Sequence, residues 1–257
     1  MTIREIYDYL DEIMPFKNQS EGDNSGLLVG DFSANVNNIL VCLDVTNNIV
    51  AEAAGKEVDL IISHHPLMYR PISKIRSNDP LHALIRSNIS FIAAHTNSDV
   101  AVGGVSDLML KKLGFPKSNV PILPIGCDGT GYGRIVMLDS PVSAEKLAEK
   151  CKTAFNCSVI KYVDSGKVVS RVGVSSGSAA ESVEAALQAG CDAFICGEVK
   201  YDRMLFAKDH GLTLIEAGHF HTEDIVCDDL TVRLKARFSD VKVEKASNST
   251  DVCSYAV

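Results

Sequence analysis

The sequence predicts an α/β protein of two similar domains, with mainly parallel or mixed sheets and a metal site in the cleft between them. Short apolar runs alternate with amphipathic segments along the whole chain, which is typical of βαβ units. Three of these apolar runs end on histidine, at His64, His95 and His219. Residues 53–65 also resemble residues 185–198, although any two βαβ units share part of this likeness.

The first half of the chain begins with a capping box. Thr2 followed by Glu5 three residues later is the usual start of a helix, here over residues 3–13. Asp79-Pro80 supplies an N-cap and an N1 proline for a later helix. The pattern predicts strands over 26–29, 39–45, 59–63 and 91–94, and helices over 47–56, 80–87 and from Gly104 to about 113.

A segment rich in proline and glycine follows at residues 115–133 and predicts a domain boundary. We therefore expect one α/β domain over 1–126 and a second α/β half over 127–257, with the last helix and strand packing on the first domain. The second half has predicted strands over 134–138, 157–162, 168–174, 193–196 and 212–216, and helices over 144–155, 179–189, 201–208 and 223–238.

Composition excludes several classes of protein. The formal net charge of −8 argues against a broad basic surface for nucleic acid. No stretch approaches the roughly 20 apolar residues of a membrane span, and the acidic N-terminal helix does not resemble a signal peptide. The eight cysteines form no CxxC pair and several lie in apolar runs, which indicates buried thiols in a reducing compartment. We expect a cytoplasmic protein.

Carboxylates accompany the histidines that end the strands. Asp99 lies four residues after His95, and Glu223 lies four after His219. Imidazole and carboxylate together suit Zn, Mn, Fe, Co or Ni rather than calcium. Adjacent histidines at an irregular strand end point in different directions, so His64 and His65 are expected to serve two ions, with Glu223 as the bridge. The predicted ligands of two divalent ions are His64, His65, Asp99, His219 and Glu223.

Each of these residues also has a structural interpretation. His64-His65-Pro66 would suit a surface turn, and Glu223 would suit the first turn of a helix, where an acid complements the dipole. Asp99 would equally suit an Asx-turn in a glycine-rich loop. His95 is a ligand, a partner of a ligand or a substrate contact, and the last two roles are favoured.

Three sequence blocks carry a resemblance to a known family: Ser63-His64-His65-Pro66-Leu67, His95-Thr96-Asn97-Ser98-Asp99 and Gly218-His219-Phe220-His221-Thr222-Glu223. They resemble the signature blocks of the GTP cyclohydrolase I type 2 homologs, also called NIF-three-like proteins. Further matches are Asp23-Asn24-Ser25-Gly26-Leu27, Leu43-Asp44-Val45-Thr46, Gly131-Tyr132-Gly133-Arg134-Ile135 and Gly197-Glu198. The chain departs from the family pattern at Gly22, where a tryptophan is common, and at Ser98, where leucine is usual.

The resemblance implies a dinuclear metal site, with the five predicted ligands at its ligand positions. It also implies two α/β domains and a ring-shaped homohexamer. From the residues themselves we expect a metal-dependent hydrolase, with His95, Glu198 or Asp44 as proton shuttles. The expected partner is a small-molecule substrate: a nucleotide, a phosphoester or a cyclic amide. The competing hypothesis is a non-enzymatic metal-binding scaffold or ligand-binding ring protein.

Overall fold

The computed structural model describes residues 1–256 as a mixed α/β protein, which confirms the predicted fold class. Its helices are α1 (Ile3–Ile13), α2 (Asn47–Gly55), α3 (Pro80–Arg86), α4 (Thr96–Val100), α5 (Val105–Leu113), α6 (Ala144–Ala154), α7 (Ala180–Gln188), α8 (Tyr201–His210), α9 (His219–Glu223) and α10 (Ile225–Arg237). Its strands are β1 (Gly26–Val29), β2 (Asn38–Cys42), β3 (Leu60–Ser63), β4 (Ser90–Ala93), β5 (Leu123–Pro124), β6 (Gly131–Tyr132), β7 (Arg134–Val142), β8 (Lys161–Val163), β9 (Val169–Ser178), β10 (Ala193–Glu198), β11 (Thr213–Glu216) and β12 (Lys242–Lys245). None of the helices in residues 1–256 is long and apolar enough to cross a membrane.

The chain divides into two compact units by its internal contacts. Unit 1 is Met1–Ser98 with Val226–Thr250, and unit 2 is Asp99–Ile225 with the segment from Asp251 onward. The division falls after Ser98, ahead of the glycine-rich segment in which the sequence predicts it. The reason is that both α5 and the glycine-rich segment pack with the second half of the chain: Leu110 lies in the same core cluster as Val172 of β9, and Ile122 lies in the same cluster as Phe194 of β10.

Unit 1 is built on a sheet with strand order β1-β4-β3-β2-β12. The pairs β4–β3, β3–β2 and β2–β12 are parallel, and β1 is antiparallel to β4. Every residue of β3 and β4 is buried, as expected for parallel strands covered on both faces. The N-terminal capping box is confirmed, because Glu5 accepts from the Thr2 backbone at 2.7 Å while its own N–H donates to Thr2 Oγ1.

Unit 2 has a sheet with strand order β7-β9-β10-β11-β8. The central strands β9, β10 and β11 are parallel, while the edge strands β7 and β8 are antiparallel to their neighbours. The core on one side of the sheet contains Leu147, Val172 and Ile195. The strand predicted over residues 157–162 forms only over Lys161–Val163, as β8.

A buried arginine fixes the glycine-rich segment to the rest of unit 2. Arg134 is fully buried, and its guanidinium donates to both carboxylate oxygens of Asp107 at 2.9 Å. It also donates to the backbone carbonyls of Ala101, Gly131 and Gly133. All five N–H groups of the side chain are therefore used, which is the condition under which a buried guanidinium is stable.

Candidate metal centre

Unit 1 gathers three histidines at the carboxyl ends of β3 and β4. The backbone N–H groups of His64 and His65 donate to the carbonyls of Cys42 and Leu43, so both residues continue the parallel ladder just beyond β3. His95 comes two residues after the end of β4. One side-chain nitrogen of each of the three histidines lies within 4.8 Å of the others. Parallel strands bring their carboxyl ends to one edge of the sheet, and ligands bind there.

The imidazole rings of these three histidines are each held through Nδ1. His65 Nδ1 lies 2.8 Å from Asp44 Oδ1, and His95 Nδ1 lies 2.8 Å from Asp23 Oδ1. His64 Nδ1 lies 3.1 Å from the Ala94 carbonyl oxygen. When an oxygen acceptor contacts Nδ1, the proton of a neutral ring is assigned to Nδ1. The lone pair of Nε2 is then available to bind a metal ion. This is the usual arrangement of metal-binding histidines.

Asp23 is a functional candidate to which the sequence assigned no role. Its side chain is fully buried and accepts from the Thr96 backbone at 3.2 Å, and also from the Thr96 hydroxyl. Burial by itself raises the pKa of Asp23, but the hydrogen bonds from His95 and Thr96 outweigh it and hold the pKa well below its usual range. The signal in the sequence was its place in the Asp23-Asn24-Ser25-Gly26-Leu27 block.

Unit 2 contributes one histidine and two carboxylates. His219 and Glu223 lie one turn apart on α9, with 2.9 Å between His219 Nε2 and Glu223 Oε2. His219 Nδ1 lies 3.2 Å from Glu198 Oε1 at the end of β10. A carboxylate oxygen of Asp99 lies within 4.8 Å of one from Glu223. Glu223 is thus within reach of both other predicted ligands of this unit.

Glycines at the ends of β9 and β10 permit the close approach of α9. A Cβ atom at Gly177 would overlap the Glu223 carboxylate, and the backbone there is left-handed, with φ +56°. A Cβ atom at Gly197 would lie 2.7 Å from the hydroxyl oxygen of Thr222 and 2.6 Å from the Gly177 carbonyl oxygen. The Gly177 N–H donates to Thr222 Oγ1 at 3.2 Å. Glycine is required at both positions because side chains of α9 occupy the space that a Cβ atom would need.

The residues predicted as proton shuttles each take part in a histidine–carboxylate pair. Asp44 faces His65, Glu198 faces His219, and His95 faces Asp23. The Asp44 and Glu198 side chains are both half-exposed. Contact with Nδ1 orients the ring, which is the usual role of a carboxylate behind a metal-binding histidine. This geometry fits Asp44 and Glu198 as positioning residues.

The donor chemistry fits a divalent cation. Asp99 and Glu223 are both more than nine-tenths buried, and their carboxylates lie within 4.8 Å of each other. Two ionised carboxylates at that separation, largely removed from water, repel each other, and a cation between them removes the repulsion. Imidazole nitrogens together with carboxylate oxygens are ligands that zinc and its neighbours in the first transition row accept.

The fold and these side chains define an α/β protein with groups of histidine and carboxylate residues able to hold a metal ion at the carboxyl ends of parallel strands. The sequence model of the Duf34/NIF3 (NGG1p interacting factor 3) family matches residues 1–251, and the chain belongs to this family. The resemblance seen in the sequence blocks is therefore confirmed.

Similar proteins cover nearly the whole chain. A Clostridium perfringens protein named GTP cyclohydrolase 1 type 2 homolog is 29% identical over 257 residues, with 98% of each chain covered. A Nostoc protein of the same name is 32% identical over 205 residues, with 77% of each covered. The solved structure of the Staphylococcus aureus hypothetical protein SA1388 has a TM-score of 0.93 and 27% identity, covering 100% of this chain and 99% of that one.

Proposed function

We propose that this protein is a metal-dependent hydrolase that binds two divalent ions through His64, His65, Asp99, His219 and Glu223. The observation that carries the proposal is the group of three histidines in unit 1, each with its Nδ1 held by an oxygen acceptor. The buried carboxylates of unit 2 support it independently, because a cation between Asp99 and Glu223 would be attracted by both of them.

The residues of this chain have separate tasks in the proposed reaction. Two bound divalent ions would supply Lewis-acid polarisation of the bond to be cleaved. Asp44 and Glu198 hold the rings of His65 and His219 at their Nδ1 atoms. His95 is held by the fully buried Asp23 and is the group best placed to accept or donate a proton at its ring nitrogen.

The substrate class is a nucleotide, a phosphoester or a cyclic amide. Each has an electrophilic phosphorus or carbon centre at which water adds, and each has oxygen atoms that a cation can polarise. The chain has no GxxxxGK[ST] or GxGxxG motif, so phosphate groups would be held by the ions and by Lys or Arg side chains.

Metal dependence tests the proposal directly. After reconstitution with Zn, Mn or Fe, elemental analysis should find close to two ions per chain, and hydrolysis in a screen of nucleotides and phosphoesters should require them. His64→Ala should lose at least one ion and on the order of 100-fold in activity, because the ligand nitrogen is gone. His210→Ala, which removes an exposed histidine on α8, is the matched control.

Two outcomes would contradict the proposal. Activity that survives both chelation and His64→Ala would belong to another site or to a contaminant. Two tightly bound ions with no hydrolysis in the full screen would favour the metal-binding scaffold over the enzyme.

A further inference from the structure

The loop after the paired histidines has an unusual surface. We call residues 68–78 the recognition loop; from Tyr69 to Asn78 every residue is exposed. Three large apolar side chains in it, Tyr69, Ile72 and Ile75, are about half-exposed. Large apolar groups placed so close together in one loop are characteristic of binding surfaces rather than of a solvated connection.

The charge of the recognition loop is opposite to that of the protein. It contains Arg70, Lys74 and Arg76 and no acidic residue, whereas the whole chain has a formal net charge of −8. Directly after the loop, Asp79 accepts from the Arg76 backbone N–H at 2.6 Å, so the loop and this residue together carry a net charge of +2, which attracts an anion and increases its rate of encounter. The loop therefore offers a surface beside the histidine group that complements a negatively charged ligand.

Both ends of the recognition loop are tied to the rest of unit 1. At its start, Asn24 Nδ2 donates to the Met68 carbonyl oxygen at 2.6 Å, beside the Asp23 that holds His95. At its end, Asn47 Nδ2 donates to the Asn78 carbonyl oxygen at 3.0 Å. The anchors leave the residues between them exposed at a defined place beside the histidine group.

Tyr69 connects this loop with the histidine group. Its ring meets the His95 ring edge to face, with 6.1 Å between centroids and 83° between planes. About half of the Tyr69 surface stays exposed, so a flat ring can stack on it next to His95. Stacking of a nucleobase on an aromatic side chain strengthens nucleotide binding whatever the base, because every base has a flat π-face.

We propose that the recognition loop selects a substrate with a planar heteroaromatic ring and a phosphate group, the ring stacking on Tyr69 and the phosphate binding Arg70, Lys74 and Arg76. This rests on the proposed function and narrows its substrate class to nucleotides. Among nucleotides, phosphoesters and cyclic amides, only a nucleotide always combines the flat ring and the anion that the loop complements.

Binding without turnover tests the loop separately from the hydrolase. Guanosine 5′-monophosphate, guanosine and inorganic phosphate are titrated calorimetrically into the protein in excess EDTA, at low and at physiological salt. Tyr69→Ala should weaken the nucleotide and the nucleoside by about 10-fold each, while Tyr69→Phe should bind both nearly as the parent does. Arg70→Ala/Lys74→Ala/Arg76→Ala should weaken the nucleotide and not the nucleoside, and should reduce its salt dependence.

Matched variants distinguish the loop from general surface effects. Tyr201→Ala removes a more exposed tyrosine on α8, and Lys111→Ala/Lys112→Ala/Lys117→Ala removes three exposed cations elsewhere. Neither should change binding. Equal losses in the loop and control variants would overturn the proposal, as would no nucleotide binding by the parent protein. A His64→Ala protein that loses metal and still binds the nucleotide would show that the two proposals stand apart.

Discussion

Units 1 and 2 contain the same supersecondary module with different residues at its functional edge. In unit 1 the module is β2-α2-β3-α3-β4, and in unit 2 it is β9-α7-β10-α8-β11, with the three strands parallel in each. Asp59 Oδ2 accepts two backbone N–H groups at the start of β2, and Asp192 Oδ2 accepts two at the start of β9. Asp59 and Asp192 also occupy equivalent positions in the sequence repeat of residues 53–65 and 185–198. The structure therefore supports this repeat.

The modules differ where their strands end. The middle strand of unit 1 is followed by His64 and His65, whereas the middle strand of unit 2 ends with Gly197 and Glu198. The third strand leads to a histidine in both, and each of these histidines has a carboxylate at Nδ1. In unit 1 that carboxylate is the fully buried Asp23, from outside the module; in unit 2 it is the half-exposed Glu198, from inside it.

One framework can therefore supply two kinds of ligand. Unit 1 presents imidazole nitrogens, while unit 2 presents carboxylates and one histidine. The repeated hydrogen bonds of Asp59 and Asp192 are at the amino ends of the strands and maintain the fold. The residues at the carboxyl ends are free to diverge, because their side chains are not needed to hold the strands together.

The largest effect is expected at Gly177 of unit 2, where the absence of a side chain leaves room for the Glu223 carboxylate. In Gly177→Ala, the new Cβ overlaps the Glu223 carboxylate, so that carboxylate must move and metal affinity should fall by about 100-fold or more. Gly190→Ala is the matched control: its φ is also left-handed, at +74°, but a Cβ there has open space. It should cost only about 1 kcal/mol in unfolding free energy. Calorimetric metal titration and chemical denaturation measure both, and unchanged metal binding in Gly177→Ala would refute the packing argument.

The two histidine–carboxylate pairs should differ in strength. Asp23→Asn should lower the rate of hydrolysis by about 10- to 100-fold, because its buried hydrogen bond to His95 orients the ring of the proposed proton shuttle. Glu198→Gln should lower the rate of hydrolysis by less than about 10-fold, since water competes with His219 for this exposed carboxylate. Both variants are assayed for hydrolysis at saturating metal, and competition with a chelating dye measures the metal that each one binds. An equal or larger loss in Glu198→Gln would show that burial does not set the strength of these pairs.

The smallest effect is expected at Glu52, which binds the segment of unit 1 that follows β12. Glu52 accepts from the backbone N–H groups of Ser247 and Asn248 at 2.9 and 3.0 Å and pairs with Lys56 at 2.8 Å. Burial raises its pKa, but these bonds outweigh it and lower the pKa from 4.5 to about 2. A depressed folded-state pKa stabilises the protein above pH 4.5, and this stabilisation is lost as the pH falls toward 2.

Glu52→Gln should therefore lower the unfolding free energy by about 1–3 kcal/mol at pH 7, and by less at pH 3. Urea unfolding at the two pH values measures the difference, with the exposed Glu57→Gln as control. A gap between parent and Glu52→Gln that stays the same at both pH values would show that the charge of Glu52 is not what holds the segment.

Local patterns in the sequence were enough to predict the fold class, the positions of most helices and strands, and which residue types could bind a metal. These patterns are apolar periodicity, capping residues, and histidines placed directly after buried strands. The predicted helix over 223–238 was correct except for its beginning, because α9 forms first as a separate turn at His219. Likewise α4 was missed, since five residues give too short a pattern to recognise.

Which carboxylate contacts the Nδ1 atom of His65 and of His95 depends on the tertiary fold. Asp23 and His95 are 72 residues apart in the chain, and Asp44 and His65 are 21 apart, so no local pattern pairs them. The glycines at 177 and 197 are ordinary strand-end residues until α9 packs against them. The same holds for β12, which joins the sheet of unit 1 beside β2 only after the chain has passed through most of unit 2. Ligand chemistry is a property of single residues, whereas ring orientation, burial and close approach arise from contacts between distant parts of the chain.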